Sequence, residues 1–240
     1  MSANHSFLEN YHENGITFPV DILSEEEAQV FRRKLEIYEK EAGTPIGGPE
    51  NKKVHLRFSW ANQLIRHPKI LMEVEKVIGP NILCWGSEFF TKEAQTDNFV
   101  SWHQDATYWG LGNDDIVTVW LALSTSNVES GCMRVVAGSH KKAVAHDEKN
   151  EEDNLLSRGQ EISVEVNEDE AVNVELKPGQ ASLHHVLIFH GSKPNLSDDR
   201  RIGFVIRYLP THLRPEGDID GATLVKGVDR FNYFKEEPLP

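Results

Sequence analysis

The segment Ser101-Trp102-His103-Gln104-Asp105 places an imidazole and a carboxylate two residues apart. On an extended strand such residues project from one face, so His103 and Asp105 can reach a single ion. Two histidines and one carboxylate on one face of Fe(II) leave coordination positions open for substrates. The third ligand must come from a distant strand. The run Leu183-His184-His185-Val186-Leu187-Ile188-Phe189-His190 offers three candidates. In a continuous strand, alternation puts His184 and His190 on one face but about 20 Å apart at roughly 3.3 Å per residue. They cannot then share an ion without a distortion. His190 ends the apolar run and precedes Gly191-Ser192, which makes it the preferred ligand. His184 and His185 read as structural.

Arg201 follows, at the start of the strand-like run RIGFVIRYLP. A guanidinium forks two hydrogen bonds to a carboxylate, which a lysine does not reproduce. A 2-oxo dicarboxylate that chelates Fe(II) through its keto and adjacent carboxylate oxygens needs a cation at its far end. Arg201 suits that role, with Ser192 as a hydroxyl helper. Arg207 lies on the same strand face and competes with it. The ordinary alternative for either arginine is a surface salt bridge, usually worth under about 1 kcal/mol.

These groups need a scaffold, and its elements can be read along the chain. Ser24 followed by Glu27 is a capping-box signature. It opens a helix over 25–42 that carries Phe31, Leu35 and Tyr38 and stops at Gly43. Pro68 suits the first turn of a second helix, which ends at Gly79. From Asn81 the texture changes to short runs rich in β-branched and aromatic residues. Strands are expected over 82–92, 116–124, 133–136, 162–166, 172–176, 181–190 and 202–209. Helices first and many short strands after predict a mainly β protein with flanking helices, an antiparallel jelly roll. A single domain over 1–240 is expected, with a helical part to about 80 and a β core over about 81–210.

Composition removes whole classes of function. The formal charge is −13 over 240 residues, unlike the basic surface that sequence-independent nucleic-acid binding requires. It also argues against docking on an anionic membrane. No apolar run approaches a membrane span and no secretory signal is visible. Two cysteines cannot build a disulfide framework, so a reducing cytoplasm is the expected compartment. Residues 144–175 hold eleven acidic side chains against Lys149 and Arg158, a net of −9. This acidic insertion is either a solvated loop or a lid over the site.

The motifs WHQDATYWG, SGCMRVVAGSHK and LHHVLIFHGSKPNLSDDRRIGFVIRYLP, in this order, resemble the phytanoyl-CoA dioxygenase-like family of Fe(II)/2-oxoglutarate oxygenases. The similarity runs from about 81 to 209. It implies a double-stranded β-helix of the cupin type with the metal between two sheets. It also implies that His103, Asp105 and His190 hold iron, that Arg201 and Ser192 bind the distal carboxylate of 2-oxoglutarate, and that Trp120 and Thr118 lie near the co-substrate. Lys53 is a weaker correspondence. Related halogenases replace the carboxylate by alanine or glycine, so Asp105 favours hydroxylation. Desaturation and ring closure stay open. The implied reaction consumes O2 and 2-oxoglutarate and releases succinate and CO2. The expected substrate is a small polar metabolite such as an amino acid, amine or phosphonate, with neither nucleic acid nor membrane as partner. The rival readings are a non-catalytic metal-binding cupin module and a metal enzyme that needs no 2-oxoglutarate. Both lack a reason for Arg201 beside Ser192.

Overall fold

A computed structural model describes residues 7–111, 115–149, 152–156, 159–217 and 219–240. Helix α1 (Phe7–Asn14) and strand β1 (Ile16–Asp21) lead into α2 (Glu25–Ala42). The Ser24 hydroxyl accepts from the Glu27 amide at 3.2 Å, and the Glu27 carboxylate accepts from the Ser24 amide at 2.8 Å. Such a cap is worth about 1 kcal/mol. Gly43 ends the helix with φ near 74°, a left-handed conformation that glycine adopts without penalty. Helices α3 (Ser59–Ile65) and α4 (Pro68–Ile78) follow, the latter stopping at Gly79. No helix among the described residues is long and apolar enough to cross a membrane.

The remaining elements are strands: β2 (Ile82–Lys92), β3 (Val100–His103), β4 (Val117–Ala122), β5 (Met133–Val136), β6 (His146–Glu148), β7 (Gln160–Ile162), β8 (Ala171–Asn173), β9 (Gln180–His185), β10 (Phe189–Ser192), β11 (Arg201–Pro210) and β12 (Thr223–Lys226). They form a six-stranded sheet in the order β1-β9-β4-β11-β2-β12 and a four-stranded sheet in the order β3-β10-β5-β8. A hairpin of β6 and β7 stands apart. All pairings are antiparallel. This is the jelly roll expected from the strand pattern.

Period-two alternation explains how the larger sheet serves two purposes. Val117, Val119 and Leu121 of β4, with Ile202, Phe204 and Ile206 of β11, join the core packed under the helices with Leu35, Ile70 and Val74. The intervening Thr118, Trp120, Arg201, Val205 and Arg207 face the space between the sheets and line a cavity of about 870 Å³. Both faces of these strands are buried, so β4 reads as a nearly continuous apolar run.

The observed strands depart from the expected ones, and β6 lies outside all of them. The stretch 181–190 is two strands, because residues 186–188 turn the chain from the larger sheet into the smaller one. The strands expected at 162–166 and 172–176 are shorter and begin earlier, at Gln160 and Ala171. The larger sheet recruits β1 and β12 from outside 81–210, with Pro19 accommodated because β1 is an edge strand. Within the acidic segment, β8 is an edge strand of the smaller sheet, so that segment is only partly loop.

Candidate metal and co-substrate site

His103 ends β3 and His190 lies in β10. The two residues are directly opposed in the ladder, with ring centroids 4.0 Å apart. Asp105 does not lie on the strand, as the sequence had suggested. It begins a 3-10 turn, Asp105–Tyr108, that swings its carboxylate back toward both rings. Asp105 Oδ1 is 3.5 Å from His103 Nε2 and 3.8 Å from His190 Nε2. One donor atom from each of the three residues lies within 4.8 Å of the others, the one such group among the described residues.

The tautomers follow from the outer nitrogens. His103 Nδ1 is 2.9 Å from the Ser101 carbonyl, and His190 Nδ1 is 3.0 Å from the Ile188 carbonyl. A carbonyl only accepts, so each Nδ1 carries hydrogen and each Nε2 presents a lone pair to the cluster. Burial pushes the His190 imidazole down to about 3 and keeps it neutral. Two lone pairs and a carboxylate facing one another repel unless a cation lies between them. The donor set therefore fits a divalent metal of borderline character.

Gln104 sits between two of these residues yet points the other way. Its buried amide donates to the carbonyls of Lys142 (2.9 Å) and Leu187 (2.6 Å) and accepts from the Val144 amide (2.9 Å). The Asp105 amide donates to the Val186 carbonyl at 3.0 Å. These bonds staple the 3-10 turn to the turn at 186–188 and so set the spacing of His103, Asp105 and His190. From β4, the Thr118 hydroxyl lies 3.4 Å from Asp105 Oδ2 and orients that carboxylate. His184 is buried with its ring centroid 5.4 Å from that of His190, brought there by the turn that a continuous strand would have excluded.

Arg201 is 2% exposed, yet no carboxylate among the described residues pairs with it. Its guanidinium donates to the Gly131 carbonyl, its Nε has no partner, and burial lowers its pKa to about 10. The guanidinium packs over Trp120 with its carbon 5.4 Å from the ring centroid. Gly203 makes room for this stack, since a Cβ there would lie 2.1 Å from Trp120 Cζ2. Ser192 borders the same cavity, and its hydroxyl is 2.7 Å from the Lys92 ammonium. A buried guanidinium without an acid is an incomplete arrangement that a ligand carboxylate would complete.

Arg207, the competing arginine, already has its acid: it pairs with Glu88 and stacks on Trp109, 4.9 Å from the ring centroid. Lys53 lines the cavity, but its ammonium is engaged by Glu237 and by the Gly221 carbonyl at 2.7 Å. Trp109 borders the cavity, whereas Trp102 turns away and donates to Glu168 at 2.8 Å. The side chain of Tyr108 lies outside the described residues. Among the described residues of the acidic segment, only Leu155, Leu156 and Gln160 reach the cavity, and none of them is acidic. Lys92 is the main group that the sequence did not single out. Only the pairing of β2 with β11, which sets it opposite Arg201, reveals it.

A family profile described as phytanoyl-CoA dioxygenase (PhyH) matches residues 11–203. The chain belongs to that family. It is 32% identical over 166 residues to a probable alpha-ketoglutarate-dependent hypophosphite dioxygenase of Stutzerimonas stutzeri, covering 67% of this chain and 57% of the relative's length. Among solved structures, the apo form of the non-heme monooxygenase ThoJ superposes with a TM-score of 0.86 at 33% identity, over 98% of this chain and 88% of that one. CytC3 with Fe(II) and alpha-ketoglutarate superposes with a TM-score of 0.71 at 27% identity, over 99% of this chain and 93% of that one. Membership of the phytanoyl-CoA dioxygenase family brings Fe(II) and 2-oxoglutarate as cofactor and co-substrate, and the His103–Asp105–His190 cluster fits the metal.

Proposed function

We propose that this chain is an Fe(II)- and 2-oxoglutarate-dependent oxygenase that hydroxylates an unactivated C–H bond of a small-molecule metabolite. His103, Asp105 and His190 hold the iron. Arg201 and Ser192 bind the distal carboxylate of 2-oxoglutarate, flanked by Trp120. The observation that carries this reading is the buried, acid-free guanidinium of Arg201 on the same cavity as the three metal-binding side chains. A module that only stored metal would have no use for it.

Iron held by three protein groups supplies the activation of O2 that couples decarboxylation of 2-oxoglutarate to oxygen insertion. The balance is one R–H, one O2 and one 2-oxoglutarate giving R–OH, succinate and CO2. The chain's own part is orientation and exclusion of water. The carbonyls of Ser101 and Ile188 fix the imidazole tautomers, and Thr118 fixes Asp105. Trp120 packs against the guanidinium of Arg201 and limits how that group can turn within the cavity. Trp85, Trp109, Leu155 and Leu156 give the substrate side apolar walls. Arg207 and Glu88, already paired there, suit a polar substrate without a large net charge. Buried free thiols at Cys84 and Cys132 suit a reducing, cytoplasmic setting.

The test is succinate formation from 2-oxoglutarate with Fe(II), ascorbate and O2, measured against a library of amino acids, amines and phosphonates. Substrate-dependent succinate with a product heavier by one oxygen atom supports hydroxylation. A product lighter by two hydrogens would replace it by desaturation or ring closure. No succinate above the metal-free control would overturn the oxygenase reading.

A further inference from the structure

Lys92 ends β2 directly opposite Arg201 in the ladder and is 1% exposed. Its ammonium reaches Ser192 Oγ at 2.7 Å and the Lys193 carbonyl, and no carboxylate among the described residues pairs with it. Two basic side chains thus stand side by side inside the protein, and among the described residues their hydrogen-bond acceptors are neutral oxygens. Placing a second cation there is costly unless an anion arrives to share it. Burial and the Arg201 charge push the Lys92 ammonium down to about 6, as expected for a site built around a missing negative charge.

Lys92 stands behind Ser192 rather than on the cavity wall. An ammonium has only donors, so when Lys92 is charged Ser192 Oγ must accept from it. The serine hydrogen is then free to be donated toward the cavity beside the Arg201 fork. We propose that Lys92 is a positioning residue for the dicarboxylate co-substrate: acting through Ser192, it turns that hydroxyl into a donor and adds a second positive charge behind the distal carboxylate. The inference rests on the assignment of Arg201 and Ser192 to 2-oxoglutarate. It makes the subsite selective for 2-oxo dicarboxylates over 2-oxo monocarboxylates.

The experiment is equilibrium titration of the Co(II)-loaded protein with 2-oxoglutarate and with 2-oxobutyrate, which has the same chelating head and no distal carboxylate. Lys92→Met should weaken 2-oxoglutarate about tenfold, the scale of a lost charge-assisted hydrogen bond. It should leave 2-oxobutyrate unchanged. Ser192→Ala combined with Lys92→Met should add little to either alone, because one acts through the other. If Lys92→Met does not fold, Lys92→Gln keeps a donor without the charge and is measured in the same way. A merely structural lysine would change both ligands equally or neither, and that result overturns the proposal. If Arg201→Met weakens 2-oxoglutarate selectively while Lys92→Met does not, the proposal fails alone. If the unaltered protein does not distinguish the two acids, the assignment of the subsite fails with it.

Discussion

The smaller sheet carries His103 and His190 on strands of four residues, β3 and β10. The larger sheet carries Thr118, Trp120, Lys92 and Arg201 on strands of six to eleven residues. In the first case the spacing of the side chains depends on hydrogen bonds across turns, chiefly those of Gln104. In the second, each group is clamped by a ladder partner and backed by the helix-covered core. A metal site needs donors to converge from several directions, which turns provide. A carboxylate subsite needs fixed charges in a dry setting, which the paired inner strands β4, β11 and β2 provide, with Ser192 added from β10. The two functions are therefore separable by mutation.

Asp105→Ala should have the largest effect. It removes a metal donor and leaves two neutral imidazoles, so iron binding and turnover should be lost with little change in melting temperature. Turnover that survives the substitution would remove Asp105 from the ligand set. Phe204→Ala should empty a buried position under the helices and destabilise the fold by about 3–5 kcal/mol in denaturant titrations. A protein that loses metal affinity before it loses stability would contradict the division of labour between the sheets.

Arg201→Met should weaken 2-oxoglutarate by about a hundredfold, the scale of removing one partner of a buried charge pair. Arg207→Met, whose charge already belongs to Glu88, should change 2-oxoglutarate affinity only a few-fold and act mainly on substrate KM. The reverse order would show that the wrong arginine has been assigned to the co-substrate. Gln104→Ala should cost about tenfold in metal affinity, because it loosens the spacing of the ligands without removing one. Metal affinity equal to the unaltered protein would mean that the turns hold their spacing without that side chain.

Legibility in the sequence followed the same division. Helix α2 and strand β2 could be read to the residue because their signals are local: Ser24 with Glu27, Gly43, and an apolar run bounded by Pro80-Asn81. The break at 186–188 could not, since Val186-Leu187-Ile188 contains no turn residue. That turn is held from a distant segment by the Asp105 amide and the Gln104 side chain, and locally by His185 Nδ1, which accepts from the Leu187 amide. Reading 181–190 as one strand consequently put His184 far from His190, although the turn brings them together. The HxD pair and Arg201 stood out because their residue types carry chemistry. Lys92 did not, because a lysine at the end of a strand usually faces water and only the β2–β11 register shows otherwise.

The central claim is that one cavity holds both the metal and the dicarboxylate. It is tested most directly by anaerobic addition of 2-oxoglutarate to the Fe(II)-loaded protein, followed by visible absorption. A charge-transfer band should appear only with both components, be absent in Asp105→Ala, and need much more 2-oxoglutarate in Arg201→Met. Iron binding without such a band at saturating 2-oxoglutarate would contradict that claim.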